Sequence, residues 1–239
     1  MIDKLMTKLR FYAKLDETEE TALRDAVGPV RLFGRGEVMV RAQVRTRHSM
    51  ILLSGIVHRY KTLADGRRQS LALGIPGDFV DLHSFTMKRL DHDIACLRDC
   101  RVALVPHENL EAITARLPHL GRVLWLSTMI DAAIHRELIV SLGVRSAVQR
   151  MAQLFCEMAT RFETVGLGSR AGYDFPVTQQ DLSEVLGLSL VHANRTLREL
   201  RERGLTTFHS QKLVIHDWDG LAALADFDPF YLFLDRQAC

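Results

Sequence analysis

The 239-residue chain lacks a continuous apolar run long enough to span a membrane. Its opening segment, MIDKLMTKLRFYAKL, interleaves charged and apolar side chains and has no uninterrupted hydrophobic stretch, so it reads neither as a secretory leader nor as an anchor. A cytoplasmic protein without a membrane partner is expected. Cysteine is scarce. The four present, Cys96, Cys100, Cys156 and Cys239, are too scattered for a disulfide framework, which agrees with a reducing compartment. No low-complexity segment or internal repeat is apparent. His-x-His, a P-loop, a Ser-His-Asp signature and a paired zinc-ligand helix are all missing, which removes the usual sequence signs of a cupin-type metal triad and of the common hydrolases. No catalytic residue and no metal site are expected. Charge is nearly balanced at +2, so any nucleic-acid contact has to come from local patterning.

What is present begins with Thr178 to Gly204, TQQDLSEVLGLSLVHANRTLRELRERG. Thr178 with Asp181 three residues on reads as a capping box opening a helix whose Leu182, Val185 and Leu186 share a face. The small Ser183 permits close helix approach, and Gly187 suits a left-handed turn. Ser189 then caps a second helix. Ala193, Leu197 and Leu200 recur along it at core spacing and leave His192, Asn194, Arg195 and Arg198 toward the opposite side. An α-helix fits the DNA major groove, where arginine pairs with guanine and asparagine with adenine. The predicted DNA-binding set is Thr178, Gln179, Ser189, Leu190, Val191, His192, Asn194, Arg195, Arg198 and Lys212. Two ordinary amphipathic helices would share the motif, so its context matters. LTTF and KLVI, joined by His209-Ser210-Gln211, predict a β-hairpin wing with Lys212 and His209 as phosphate donors. From Gly172 onward six Lys or Arg face ten Asp or Glu, yet four of the six cations lie on or just after the second helix.

Upstream, residues 28–110 carry short β-rich runs punctuated at Gly34, Gly36, Gly55, Asp65-Gly66 and Gly77-Asp78, as in a β-sandwich or jelly roll. Asp16 with Glu19 predicts a capped helix before it. Residues 117–142 read as a long helix with two apolar sides. Leu120, Leu124, Ser127, Ile130, Ile134, Leu138 and Leu142 form one stripe, its first six residues assigned to a parallel homodimer seam; Trp125, Met129, Ala133 and Val140 form the other. Gly143 is the expected hinge into SAVQRMAQLFCEMATRF. The expected fold is α+β: a β-roll sensor unit with an N-terminal helix over residues 1–115, a dimerisation helix over 116–143, and a winged helix-turn-helix over 144–239.

FGRGE, LLSGIVHRY, DGRRQSLALGIPGDF, AVQRMAQLF and DLSEVLGLSLVHANRTLRELRERGL, followed by KLVIHDWDGLAALADFDPFYL, occur in an order that resembles the Crp/Fnr family of bacterial transcription regulators along nearly the whole chain. The resemblance implies a cyclic-nucleotide-binding-type β-roll, a coiled-coil homodimer and binding to a two-fold symmetric operator in double-stranded DNA. RNA polymerase would be a further partner of an activator, with Phe162 to Phe175 as the exposed loop the resemblance points to.

The resemblance also carries departures. Leu90-Asp91-His92 stands where cAMP binders have an Arg-Ser or Arg-Thr pair, and His135-Arg136 stands where they have helix hydroxyls, so a cAMP effector is not expected. Asp91, His92, His135 and Arg136 are the candidate effector pocket, with Asp91-His92-Asp93 read as a solvated hairpin tip. No cysteine precedes Cys96, which argues against the family's iron-sulfur cluster. Haem or another small effector stays open, with His48, His58, His83 and His92 in the roll. Val191 replaces a glutamate common in the family, which suggests a different operator, whereas Arg195 keeps the base-reading position. The competing reading is a jelly-roll enzyme or ligand carrier with an incidental helix-turn-helix.

Overall fold

The computed structural model describes residues 1–234. Helices α1 (Asp3–Tyr12) and α2 (Glu17–Asp25) come first, and Asp16 and Glu19 form the reciprocal cap that starts α2. There follow β1 (Val30–Phe33), β2 (Val38–Val40), β3 (His48–Ser54), β4 (Val57–Thr62), β5 (Arg68–Gly74), the one-turn α3 (Ser84–Met87), β6 (Asp93–Cys96) and β7 (Cys100–Pro106). The strands pair antiparallel in two sheets, ordered β1-β7-β3 and β2-β6-β4-β5, around Phe33, Val40, Leu52, Val57, Ile94 and Val102. This is the roll the turn spacing called for.

Helices α4 (His107–Arg116) and α5 (Pro118–Val144) leave the roll, and α6 (Ala147–Thr164) enters the C-terminal unit. The expected hinge at Gly143 is displaced: α5 continues through Val144 and breaks at the extended Arg145. The next helix sets that boundary, because Ser146 and Gln149 form a capping box that starts α6.

The dimer assignment on α5 needs a larger correction. Leu120, Leu124, Ile130 and Ile134 are buried within this protomer, against Leu5, Leu9, Leu23 and Val105, while Ser127 and Leu138 are half-buried. A helix apolar on two sides must give one to its own roll, and the aliphatic stripe is the one α1 and the roll cover. Ala133 is buried too. The uncovered side carries Trp125, Met129, Ile139 and Val140, with Trp125 67% and Ile139 69% exposed.

The C-terminal unit adds β8 (Gly168–Ser169), β9 (Gly172–Asp174), α7 (Gln179–Leu186), α8 (Leu190–Glu202), β10 (Thr206–His209), β11 (Lys212–Ile215), α9 (Trp218–Ala225) and a 3-10 turn, Pro229–Leu232. Its sheet has the order β10-β11-β9-β8. Part of the segment expected as a loop between Phe162 and Phe175 is therefore β-structure, because Tyr173 pairs with Leu213 and Lys212 with Asp174. Among the described residues no helix is long and apolar enough to cross a membrane.

A buried ionic cluster ties the two units together. Asp78, in the turn after β5, accepts from Lys8 of α1 at 2.6 Å and from Arg161 of α6 at 2.9 Å; Arg161 also donates to Glu157 and to the Leu73 carbonyl. Burial alone would raise the Asp78 pKa, but the charges of Lys8 and Arg161 outweigh it and hold it at about 2. The folded value lies below the unfolded one, so this stabilisation is complete above the ordinary carboxylate range and disappears as pH falls through the folded value. Acid unfolding should therefore lose about 2 kcal/mol between roughly pH 5 and 2 through this group. Asp78→Asn should be markedly less stable at pH 7 and show a flatter acid limb; parallel urea titrations down to pH 2 with equal slopes for both proteins would remove Asp78 from that role.

Candidate DNA interface and effector pocket

Thr178 opens α7 as its sequence implied: its hydroxyl accepts the Asp181 amide at 3.1 Å, and the Asp181 carboxylate takes the Thr178 amide at 2.7 Å. Leu182, Ser183, Val185 and Leu186 are buried. Gly187 ends the helix with φ +63°, and a Cβ there would meet Gln69 Oε1 and Leu142 Cδ2 at 3.3 Å. Gly187→Ala should cost about 1 to 2 kcal/mol from the left-handed backbone alone, read as a lowered Tm; an unchanged Tm would show that the turn relaxes freely.

Ser189 caps α8 by accepting the His192 amide at 3.2 Å. Ala193, Thr196 and Leu200 form the buried face, with Leu197 half-buried beside them. Thr196 is a core residue beyond the Ala193, Leu197 and Leu200 periodicity; its hydroxyl donates to the His192 carbonyl at 2.9 Å, so it enters the core with its polarity satisfied. Its position three residues after Ala193 was the available signal. On the outer side Leu190, Val191, Asn194, Arg195 and Arg198 are exposed, and His192 is half-buried. Among the described residues Asn194, Arg195 and Arg198 have no intramolecular side-chain hydrogen bond or ion pair, so their donors are free. Val191, an apolar side chain, is 80% exposed at the start of this helix. Thr178 is half-buried, and Gln179 and Lys212 are exposed at the α7 and wing margins. His209 is the last residue of β10, so the wing turn is the pair Ser210-Gln211 with φ of 50° and 61°, the left-handed geometry of a tight hairpin.

The roll touches this unit through side chains that no motif announced. Gln69 of β5 donates to the Glu184 and Val185 carbonyls at 3.1 and 3.3 Å, Arg98 to Gln211 at 3.2 Å, and Arg35 stands 3.8 Å from Asp181. Each bridges residues far apart in the chain.

The second predicted constellation is brought together only in part. Asp91 is exposed and paired with Lys61 at 2.8 Å and with His92 Nδ1 at 2.9 Å; these hydrogen bonds hold its carboxyl far below the usual range. His92 is buried, 8% exposed, rather than at a solvated tip, because its ring packs on His83 with centroids 5.3 Å apart. Burial lowers the pKa of His92, of His83 to about 4, and of the half-buried His135 on α5. Arg136 is exposed and stands apart. Arg59 of β4, the buried cation here, is committed to the Val80 carbonyl and to Asp131 of α5, both at 2.8 Å. His58 is buried against Ser70, while His48 is exposed. Cys96, Cys100 and Cys156 are buried, and Cys239 lies outside the described residues. Among the described residues no three His, Cys, Asp or Glu side chains are grouped as a ready metal cage.

Two family models match the chain. One described as a cyclic nucleotide-binding domain covers residues 30–116, and one described as a Crp-like helix-turn-helix domain covers 149–224. The chain is 24% identical over 202 residues to the transcriptional activator protein FnrL of Cereibacter sphaeroides, covering 83% of this chain and 81% of that protein. It is 26% identical over 190 residues to the nitrogen fixation regulation protein FixK of Azorhizobium caulinodans, covering 80% and 76%. The fold is similar to that of FixK2 from Bradyrhizobium japonicum, with a TM-score of 0.73, 23% identity and coverage of 88% of this chain and 98% of that one.

Proposed function

The chain belongs to the Crp/Fnr family of transcription regulators, whose helix-turn-helix binds DNA, and from that premise we propose that it works as a homodimer reading a two-fold symmetric operator with α8. The observation that carries the reading is the outer face of α8. Val191, Asn194, Arg195 and Arg198 project to solvent without internal partners among the described residues, above a face locked into the core by Ala193, Thr196 and Leu200. An exposed valine among free donors is poorly suited to water and well suited to a groove that offers thymine methyls beside purine acceptors. Lys212 on the wing and Gln179 at the start of α7 would contact phosphates and fix the helix in register. Gel-shift selection from random duplexes tests this reading: recovery of a palindromic consensus is the expected result, and a salt-dependent smear with no consensus would refute it.

The effector is not cAMP or cGMP in this reading. A cyclic phosphate in the roll needs a buried cation. Arg59 already neutralises Asp131, and Lys61 neutralises Asp91 outside. Placing the phosphate there would strip one of those pairs or leave the charge uncompensated, at a cost of several kcal/mol. Calorimetry with millimolar cAMP should show no binding, and operator affinity should stay unchanged. Micromolar cAMP affinity would mean that Arg59 abandons Asp131 for the nucleotide.

A further inference from the structure

Two imidazole nitrogens inside the roll, Nε2 of His83 and Nε2 of His92, are buried and have no hydrogen-bond partner among the described residues. His83 stands at the start of α3 and His92 just before β6, so segments nine residues apart are folded ring against ring. Tilted ring-on-ring packing accounts for the contact but leaves both nitrogens without a role. The partners of His92 indicate one. Its Nδ1 is 2.9 Å from the Asp91 carboxylate, which can only accept, so Nδ1 carries a proton; burial lowers the ring's pKa and favours the neutral form, whose lone pair at Nε2 then faces the interior. A carboxylate behind one ring nitrogen with a free lone pair on the other is the arrangement that orients metal-binding histidines and raises their basicity.

The separation of the ring centres admits a shared ion. Two imidazoles bound through Nε2 to one tetrahedral ion at Zn–N of about 2.0–2.1 Å hold their ring centres roughly 5.2 Å apart; the observed separation is 5.3 Å. The His83 ring also lies near the surface, although its Nε2 is closed off from solvent. A surface groove lined by Leu82, Phe85, Met87, Leu124 and Trp125 has His83 in its wall.

We propose that His83 and His92 form a two-imidazole site for a first-row divalent transition-metal ion of the Zn2+ or Co2+ type, with Asp91 as the positioning residue for His92. Imidazole is a good ligand for these ions and a poor one for Mg2+ or Ca2+. No third side chain stands ready among the described residues, so water or a small anion completes the coordination. Arg59, whose pair with Asp131 anchors α5, acts on both rings electrostatically, so the site adjoins the contact between roll and α5.

The test uses the full chain stripped with a chelator, without DNA, so its outcome is independent of the DNA-binding reading. Co2+ titration should give saturable ligand-field absorption at one ion per chain, and Zn2+ should displace it. His83→Gln and His92→Gln should each weaken binding at least tenfold. Asp91→Asn, at an exposed position, should weaken it about 10- to 100-fold at unchanged stoichiometry. In the unaltered chain, long-range imidazole 15N spectra should show two Nε2 resonances moving on Zn2+ addition. That measurement decides the question should the histidine variants fail to fold. The proposal is overturned by no saturable Co2+ or Zn2+ binding, by binding that persists undiminished in folded His83→Gln or His92→Gln, by an unchanged affinity in Asp91→Asn, or by Zn2+ shifting only exposed histidines.

Discussion

Arg195→Ala is expected to abolish specific operator binding while leaving the fold intact. On the outer face of α8 the side chain is exposed and has no partner among the described residues, so its removal opens no cavity and strands no buried group. A bidentate arginine–guanine contact contributes about 1 to 3 kcal/mol of base discrimination. A homodimer places that arginine in both half-sites, so the loss is counted twice, and the specific complex falls toward the non-specific level set by phosphate contacts. Arg203→Ala is the matched control. Arg203 lies just past α8 and is paired with Glu199, so its loss should cost little beyond a surface ion pair. Footprinting of both variants on the same operator gives the comparison. A protected region unchanged in position and affinity for Arg195→Ala would take Arg195 off the reading face.

What could be read in advance was what the chain encodes locally. Thr178 and Asp181, Asp16 and Glu19, Ser189 and Gly187 each act within a few residues, and each does what its position implied. The roll was legible for the same reason, since Gly and Asp-Gly turns fix where strands end. Two kinds of feature were not legible. One is the choice between two apolar faces of a single helix. The periodicity of α5 places Ile134 and Val140 on different sides but does not say which side meets α1 and which is left over. The other is any contact across a long sequence interval. Asp78 with Arg161, Gln69 with the α7 carbonyls, and His83 on His92 carry no periodic signal, and aspartates on both sides of His92 point to a solvated tip although its ring is buried.

That choice of faces reverses the expected outcome of one pair of variants. Ile134, on the stripe whose periodicity points to the seam, is buried in the protomer core, so Ile134→Asp should place a carboxylate in an apolar interior and lower stability by several kcal/mol in any oligomeric state. Ile139 lies on the face this protomer leaves open, together with Trp125, Met129 and Val140. The apolar side chains on that face, Trp125 and Met129 on one side of the exposed Arg136 and Ile139 and Val140 on the other, form the surface a second copy of the same helix would cover, since a two-fold axis parallel to α5 sets each face against its twin. Ile139→Asp would then bring two carboxylates together at that axis, each desolvated and each repelling the other. Sedimentation velocity should show Ile139→Asp as a folded monomer with an unaltered circular dichroism spectrum, while Ile134→Asp unfolds at a lower temperature. Operator affinity should drop with the dimer, because a monomer engages one half-site and loses the advantage of linked binding. If Ile139→Asp sediments as an intact dimer, the exposed face of α5 is not the seam and the symmetric-operator reading loses its structural basis.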